Sequence, residues 1–159
     1  MHMVYHIAAS IMPVKILAQL RVLQRESFEG KQIDLANYAY IVLVQEACNI
    51  VGACCLREHD PAVARSLECL CVHKNYRRKG IGSSIIEYVQ KELGDLPIVL
   101  HIDNGFSHNR LLGFYQARNF EIVEQCDKET MMATVIDDFL ITKQEYDAAK
   151  TVRMPFHII

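Results

Sequence analysis

Apolar positions recur along the chain with two different periods. Short runs of apolar residues predict β-strands, and apolar residues spaced three or four positions apart predict amphipathic helices. The clearest helical stretch covers 80–94, and its apolar stripe comprises Ile81, Ile85, Val89 and Leu93. This spacing predicts a helix with one buried face.

The rest of the pattern predicts strands and helices in alternation. Strands are predicted over 4–9, 38–45, 49–56, 67–72, 98–102, 120–125 and 131–136. Helices are predicted over 13–26, 80–94, 109–118 and 142–150, and the polar stretch 26–37 allows a short additional helix. The second and third strands form a predicted hairpin, residues 57–65 a polar loop, and 151–159 an extended tail. This order indicates an α/β or α+β fold with a mixed sheet.

Composition and charge narrow the class of protein. With 159 residues, of which 51% are hydrophobic and 23% charged, the chain is expected to form a single globular domain over 1–159. The formal net charge is −2 and like charges form no long run, which disfavours binding to nucleic acid or to an anionic membrane. The longest apolar run, 38–44, is far shorter than the ~20 residues of a membrane-spanning helix.

The cysteines and histidines indicate neither disulfides nor a metal site. The six cysteines form no Cys-x-x-Cys pair, and four of them lie in apolar, strand-like runs: Cys54, Cys55, Cys69 and Cys71. The seven histidines are scattered without metal-binding spacing. The first residues lack the basic and apolar regions of a signal peptide. We therefore expect a cytoplasmic protein with reduced thiols and no metal.

Candidate chemistry concentrates in the segment Arg77-Arg78-Lys79-Gly80-Ile81-Gly82, between a predicted strand and a predicted helix. Two closely spaced glycines allow the backbone to turn tightly and to approach a ligand. The first amides of a helix lack internal partners and lie at the positive end of its dipole. Together with the Ser83 hydroxyl and the basic side chains, they form a predicted cradle for a pyrophosphate.

This loop by itself leaves alternatives open. It is not a Walker loop, because no Gly-Lys-Ser/Thr follows, and it lacks the third glycine of the dinucleotide-binding motif. A strand–helix turn with exposed basic residues fits the same residues. So does a loop that binds a free nucleotide.

A second segment, Asn109-Arg110-Leu111-Leu112-Gly113-Phe114-Tyr115-Gln116-Ala117-Arg118-Asn119-Phe120, lies about 30 residues downstream. In this order the two segments resemble the GCN5-related N-acetyltransferase (GNAT) family. The family pattern is Arg/Gln-x-x-Gly-x-Gly/Ala before a helix, then an Asn, a Tyr and a closing Gly-Phe. The positions that match are Arg77, Gly80, Gly82, Asn109, Phe114, Tyr115 and Phe120. Two positions depart from it, because Lys74 replaces a proline and Asn119 replaces a glycine.

The resemblance covers 67–125 closely and implies the acyl-CoA N-acyltransferase fold, a mixed and mainly antiparallel sheet flanked by helices. In this family two neighbouring parallel strands splay apart, and the pantetheine arm of acetyl-CoA inserts between them like an extra strand. The resemblance thus implies acetyl-CoA as cosubstrate, with its arm along the backbone of Leu70, Cys71 and Val72, opposite 98–102. The residues implied for the phosphates are Arg77, Arg78, Lys79, Gly80, Ile81, Gly82 and Ser83.

Three further side chains have expected roles. The resemblance implies that Tyr115 protonates the leaving thiolate and that Asn109 binds the pantetheine arm. A base is useful because the acceptor amine is protonated at neutral pH, and Glu68, expected on the same strand face as Leu70, is the candidate. A strand-end glutamate without a chemical role is the alternative, since the family glutamate commonly stands where Ser66 lies. The cysteines of this strand are expected to be buried thiols rather than nucleophiles.

The expected function is transfer of an acetyl group to a primary amine by direct attack. Glu26, Glu29 and Asp34 slightly favour a small cationic amine such as a polyamine as the acceptor, and a solvated charged face is the alternative interpretation of these residues. A protein lysine or N-terminal amine is the alternative acceptor, and a CoA-binding regulatory module without turnover is the alternative function. The last twenty residues could close the acceptor site or swap onto a second subunit, so a homodimer stays open.

Overall fold

The computed structural model describes residues 2–151, and within them strands and helices alternate as the sequence predicts. The helices are α1 (Val14–Ser27), α2 (Ile81–Leu93), α3 (His108–Gln116) and α4 (Lys143–Ala148). The strands are β1 (His2–Ala8), β2 (Tyr40–Glu46), β3 (Asn49–Asp60), β4 (Arg65–Val72), β5 (Ile98–Asp103), β6 (Phe120–Gln125), β7 (Glu129–Thr134) and β8 (Lys150–Thr151). None of these helices is long and apolar enough to cross a membrane.

The strands form a mixed sheet in the order β1-β2-β3-β4-β5-β7-β6, and β8 pairs with the far end of β3. Strands β4 and β5 run parallel, whereas the other paired strands run antiparallel. A parallel pair needs a long crossover connection, and α2 provides it between β4 and β5. The predicted fold class, a mainly antiparallel sheet with one parallel pair and flanking helices, is confirmed.

The parallel strands pair only at their first residues. Arg65 lies opposite Ile98 and Ser66 lies opposite Val99, and later residues of β4 and β5 are unpaired with each other in the described sheet. On its other edge, β4 stays paired with β3 as far as Val72. The backbone of β4 beyond Ser66 therefore faces a gap toward β5.

Separate apolar clusters hold the helices on the two faces of the sheet. The predicted stripe of α2 is at most 7% exposed and shares one face with α3. The opposite face packs against α1 through Leu20 and Leu23. On that same side, Val99 and Met131 form a smaller cluster with Tyr146 of α4. Burial of this apolar area stabilises the helices in position around the gap.

The segment 57–65 is not the polar loop that its composition predicts. Strand β3 continues to Asp60, and β4 begins at Arg65. Its polar side chains have partners across the hairpin, because Arg57 pairs with Glu68 and Arg65 pairs with Glu58. Cross-strand ion pairs make a polar sequence compatible with a strand.

The stretch 26–37 does not form the additional α-helix that its sequence allowed. Helix α1 ends at Ser27, and one 3₁₀ turn follows at Leu35–Asn37. Asp34 caps this turn, because its Oδ1 accepts a hydrogen bond from the Ala36 amide. The polarity of the stretch thus reflects turns and a cap rather than a helix face.

The chain after β6 also differs in detail from the prediction. Strand β7 lies at Glu129–Thr134 rather than 131–136. Asp137 and Asp138 have left-handed φ angles of 49° and 63° and form a tight turn that joins Ile136 to Phe139. Helix α4 falls inside the predicted helix 142–150. Most of the predicted tail, 152–159, lies outside the described residues.

Candidate active site

A cleft of about 700 Å³ opens where β4 and β5 separate. Its walls come from β4, β5, β7, α3 and the segment after α1. Leu70 and Tyr115 belong to the side of the sheet that carries α2, whereas Glu68 and Cys69 lie on the side of α1. The cleft therefore passes through the sheet and is lined from both faces.

A β-bulge at Cys69 sets the direction of the side chains along β4. Cys54 faces two residues of β4, Cys69 and Leu70, because the flanking pairs are Cys55–Glu68 and Ala53–Cys71. Cys69 takes up the extra residue with a left-handed φ of 56°. Glu68 and Cys69 consequently lie together on the α1 face, and Leu70 lies on the other. The expectation that Glu68 and Leu70 share a face is wrong.

The edge of β4 that faces β5 carries Leu70, Cys71 and Val72, the residues predicted to hold the pantetheine arm. In the described sheet no residue of β5 pairs with them. The carbonyl of Val72 accepts a hydrogen bond from Arg77 Nε at 3.1 Å, which ties the following loop to the strand end. An extended edge that β5 does not pair with suits a chain that adds as another strand.

Tyr115 lines the cleft from α3, one turn after Leu111. Its ring packs edge-on against Phe114 and Phe120, with centroids 5.1 and 5.4 Å away, and the residue is only 6% exposed. Burial, together with the nearby Cys54 thiol, raises the pKa of Tyr115 to about 12. The phenol therefore stays protonated at neutral pH and can donate to an electron-rich atom in the cleft.

The Glu68 carboxylate is bound at both oxygens. Arg57 Nε donates to Oε2 at 2.7 Å, and Arg57 Nη2 donates to Oε1 at 2.9 Å. The Tyr38 hydroxyl also donates to Oε1, at 3.0 Å. The hydrogen bonds to Glu68 raise the pKa of Arg57 above its usual range. A bidentate pair of this kind fixes the orientation of the carboxylate, and its three hydrogen bonds engage most of its acceptor positions.

Cys69 lies beside this ion pair, and its Sγ is 3.7 Å from the Tyr38 hydroxyl. A hydrogen bond with the Cys55 side chain lowers the pKa of Cys69 to about 7, against the opposing effect of burial. Burial instead raises the pKa of Cys71 to about 12. Cys71 is thus a buried thiol, as expected, whereas Cys69 lines the cleft and has thiolate character at neutral pH.

A second cavity, of about 380 Å³, adjoins the start of α2. Gly80 precedes the helix with a φ of +79°, which glycine adopts without strain. The first helical bond runs from the Ser84 amide to the Gly80 carbonyl, so the three amides before Ser84 lack helical partners. A Cβ on Gly82 would meet only Phe114, at 3.8 Å. The packing of the chain does not require glycine there, which leaves open space for a ligand.

The other loop residues surround this cavity in different ways. Lys79 lies with its Nζ 5.4 Å from the centre of the Tyr76 ring and does not line the cavity, whereas every other predicted loop residue does. Ser83 accepts a hydrogen bond from Arg118 Nη2 at 2.7 Å. Arg118 in turn stacks on the Phe114 ring at 3.9 Å. The Ser83 hydroxyl therefore lies next to the Arg118 guanidinium, to which the sequence motifs assign no role.

The structure does not bring Asn109 to the cleft. Asn109 is exposed on α3 and lines neither cavity. The residue before it, His108, contacts Thr130 Oγ1 through its Nε2 at 3.0 Å. Leu111 and Tyr115 are the residues through which α3 reaches the cleft. Binding of the pantetheine arm by Asn109 stays a prediction that this geometry does not support.

The acidic residues that line the cleft differ from those that the sequence indicated. Asp103 and Glu129 lie opposite each other on β5 and β7, at the edge of the cleft. Glu26 instead lines a separate cavity together with His73. Sequence reasoning also missed three cleft-side residues, namely Tyr38, Arg57 and His101. No local signal marks these residues, because the pairing of distant strands brings them together.

Among residues 2–151, no group of three His, Cys, Asp or Glu side chains is arranged to hold a metal ion. All six cysteines are free, and Cys48 and Cys126 are exposed.

Solved structures share this architecture. An acyl-CoA N-acyltransferase from Pseudomonas aeruginosa is similar over 85% of this chain and 100% of its own, at 12% identity and a TM-score of 0.68. The ribosomal-protein-S18-alanine N-acetyltransferase from Escherichia coli matches over 87% and 100%, at 12% identity and a TM-score of 0.66. Arabidopsis thaliana Naa50, in complex with the bisubstrate analogue CoA-Ac-MVNAL, matches over 84% and 99%, at 20% identity and a TM-score of 0.63. These similarities show the acyl-CoA N-acyltransferase fold.

Sequence comparison identifies the family. The profile of the acetyltransferase (GNAT) domain matches residues 36–122, which is more than half of the chain. The chain therefore belongs to the GNAT acetyltransferase family, and the resemblance seen in its two motifs is confirmed. No curated protein matches the chain.

Proposed function

We propose that this chain transfers the acetyl group of acetyl-CoA to a primary amine, which attacks the thioester directly. The observation that carries the proposal is the gap between β4 and β5, which opens a cleft lined by Tyr115. The glycine loop follows the same strand β4, so one strand–loop–helix unit provides both the edge and the cradle. The free cysteines fit a reducing compartment such as the cytoplasm, which we propose as the location.

Acetyl-CoA fits the two cavities in one orientation. Its pyrophosphate would meet the free amides at the start of α2, with Arg77 and Arg78 supplying positive charge. The amides of its pantetheine arm would pair with the free edge of β4 at 70–72, which joins the loop cavity to the cleft. The thioester would then lie near Leu70 and Tyr115.

Charge develops at two atoms during the transfer, the thioester oxygen and the leaving sulfur. A backbone amide on the free edge at 70–72 would donate to the oxygen, where a fixed donor stabilises the developing charge. The Tyr115 hydroxyl would donate to the sulfur, because burial keeps it protonated. Direct transfer needs no covalent intermediate on the protein.

For the acceptor we favour a small cationic amine, such as a polyamine. Three carboxylates line the cleft, on Glu68, Asp103 and Glu129. Arg57 neutralises the first, whereas Asp103 and Glu129 form no ion pair within the described residues. A cleft with net negative charge raises the local concentration of a cation.

A protein N-terminus or lysine is the second candidate acceptor. The cleft is lined by Phe28 after α1 and by Glu129 on β7, and a groove between these two segments is what a peptide would need. One similar structure is a ribosomal-protein-S18-alanine N-acetyltransferase, and another is Naa50 in complex with the bisubstrate analogue CoA-Ac-MVNAL. Their identities of 12% and 20% limit that likeness to the fold.

An acceptor panel tests the proposal. The protein is mixed with acetyl-CoA and either polyamines, monoamines or peptides with one free amine, and release of the CoA thiol is recorded. Release with polyamines supports the favoured acceptor, and release only with peptides establishes the second. If no amine releases thiol while acetyl-CoA still raises the melting temperature, the chain is a CoA-binding module without turnover. Stabilisation by ATP but not by acetyl-CoA would make it a nucleotide-binding protein.

A further inference from the structure

Three aromatic rings form a row beside the cleft, on the face of the sheet opposite α2. His59 comes from β3, Tyr146 from α4 and His101 from β5. The centroid of the Tyr146 ring lies 4.9 Å from that of His59 and 5.8 Å from that of His101. His101 lines the cleft, whereas His59 is only 5% exposed. The row therefore leads from the cleft into the interior.

Hydrogen bonds attach this row to β4. Ser66 Oγ lies 2.6 Å from His59 Nε2 and 2.6 Å from the Tyr146 hydroxyl. Ser66 is 2% exposed and is the last residue of β4 that pairs with β5, so these bonds lie at the point where the strands separate. Burial, with a smaller contribution from the charge of Arg57, lowers the pKa of His59. The neutral ring of His59 thus hydrogen-bonds the Ser66 hydroxyl, which in turn hydrogen-bonds the Tyr146 hydroxyl.

Helix α4 is fixed on both sides of Tyr146. At its start, Thr142 and Glu145 form a capping box, in which each side chain bonds the backbone of the other residue. After its end, β8 pairs with β3 at His59 and Asp60. Hydrogen bonds within the fold therefore hold the backbone on both sides of Tyr146.

The transfer requires a group that takes a proton from the attacking amine. Two hydrogen bonds from Arg57 and one from Tyr38 hold the Glu68 carboxylate and engage most of its acceptor positions. Asp103 and Glu129 line the cleft as well, but carboxylates are weaker bases than imidazole at neutral pH. Imidazole changes its charge near neutral pH and is the side chain best suited to this task.

We propose that His101 accepts the proton of the acceptor amine and that Tyr146, held by Ser66 and His59, positions the His101 ring. This inference rests on the acetyltransferase function proposed above. An imidazole nitrogen of His101 takes one proton from the ammonium form of the acceptor and returns it to solvent. The free amine nitrogen then bonds to the thioester carbon, the carbon–sulfur bond breaks, and the nitrogen loses its second proton to solvent. The sulfur leaves as a thiolate that takes the Tyr115 proton, and the Tyr115 phenolate recovers a proton from solvent.

Charged side chains lie around His101 on several elements. Glu68, Asp103 and Glu129 line the cleft with it, whereas Glu124 on β6 and Lys143 and Asp147 on α4 do not line the cleft. Lys143 pairs with Asp147 at 2.5 Å, and Glu68 pairs with Arg57. Asp103 and Glu129 are thus the carboxylates on this wall that have no ion pair within the described residues.

Substitution of His101 tests the catalytic role. His101→Gln should lower kcat about 100-fold or more, the range expected for a lost general base. The acidic limb of the kcat profile should also change, since this limb reports ionisation of the base in the bound complex. His6→Gln is the matched control, because His6 on β1 bonds the Tyr88 hydroxyl at 2.7 Å outside the cleft. His101 is exposed, so the variant should fold.

Tyr146→Phe tests the positioning role, because it keeps the ring and removes the bond to Ser66. We expect kcat to fall up to about tenfold, as for one lost hydrogen bond, with an unchanged acetyl-CoA KM and a shifted acidic limb of the pH profile. If the substitution lowers the melting temperature but leaves this limb unchanged, Tyr146 has only a structural role and the proposed positioning of His101 is rejected. If the wild type releases CoA thiol and His101→Gln does so at the same rate with the same pH profile, His101 is not the base. Absence of release by the wild type would instead reject the proposed function.

Discussion

Arg57 on β3 holds the carboxylate of Glu68 on β4 through two hydrogen bonds, of 2.7 and 2.9 Å. The two side chains are 22% and 37% exposed, and the guanidinium lies over the Tyr38 ring, 4.9 Å from its centre. A partly exposed pair of this kind contributes modest stability but has a defined geometry. Its place beside the bulge indicates that it fixes the α1 face of β4 at the cleft.

The neutral variant Glu68→Gln distinguishes an orienting residue from a general base. It preserves the shape of the side chain and removes the charge, so we expect unfolding free energy to fall by about 1 kcal/mol. We also expect kcat to change only about threefold, well short of the roughly 100-fold loss that follows removal of a base. Urea unfolding and steady-state kinetics measure the two quantities. A loss of kcat as large as that of His101→Gln would return the role of base to Glu68.

Removing the phenol of Tyr115 should affect chemistry more than binding. Tyr115→Phe keeps the packing against Phe114 and Phe120 but cannot donate to the leaving sulfur, so kcat should fall about 100-fold. The dissociation constant of acetyl-CoA, measured by calorimetry, should stay within about twofold of wild type. Tyr88→Phe on α2 is the control, since its hydroxyl bonds His6 instead. Equal rates for Tyr115→Phe and wild type would exclude Tyr115 from the mechanism.

Two substitutions at Gly82 separate bulk from charge in the loop cavity. Gly82→Glu places a carboxylate where the pyrophosphate is expected, so acetyl-CoA affinity should fall at least about 100-fold through like-charge repulsion. Gly82→Ala should fold as wild type, because a Cβ there has only the Phe114 ring at 3.8 Å. Both variants are compared by calorimetry with acetyl-CoA after their melting temperatures are recorded. Wild-type affinity in Gly82→Glu would show that the phosphates bind elsewhere.

Buried His59 should make the fold sensitive to acid. Its folded-state pKa is lowered, so below pH about 6.5 the unfolded chain binds a proton that the folded chain does not. Stability is therefore lost as the pH falls from about 6.5 toward the folded-state pKa, by at most about 1.4 kcal/mol per pH unit. His59→Gln removes this contribution. Urea unfolding of both proteins between pH 5 and 8 should show a wild-type advantage that shrinks on the acid side, and a constant difference would refute the linkage.

Local patterns predicted most of the fold, because strands and helices here follow the period of their apolar residues. The stripe of α2 is buried as predicted, and the glycine loop lies between β4 and α2. The register between β3 and β4 could not be predicted from such local patterns. The bulge at Cys69 has no glycine to mark it, yet it decides which face Glu68 occupies.

The same limit applies to the candidate site. The two motifs led to Tyr115 and to the loop, since both lie within short segments of defined spacing. Arg57 meets Glu68 only because β3 extends past Leu56, and Tyr146 meets Ser66 only because α4 folds back onto β5. Such contacts depend on long-range packing, which the identity of single residues does not encode.

The passage of the cleft through the sheet has a consequence for the order of catalytic events. The acetyl donor would occupy the α2 side and the acceptor the α1 side, so either molecule could arrive while the other is in place. Double-reciprocal plots at several fixed donor concentrations would then intersect instead of running parallel. Desulfo-CoA would compete with acetyl-CoA but not with the acceptor. A non-reactive acceptor analogue would leave the apparent affinity for acetyl-CoA nearly unchanged.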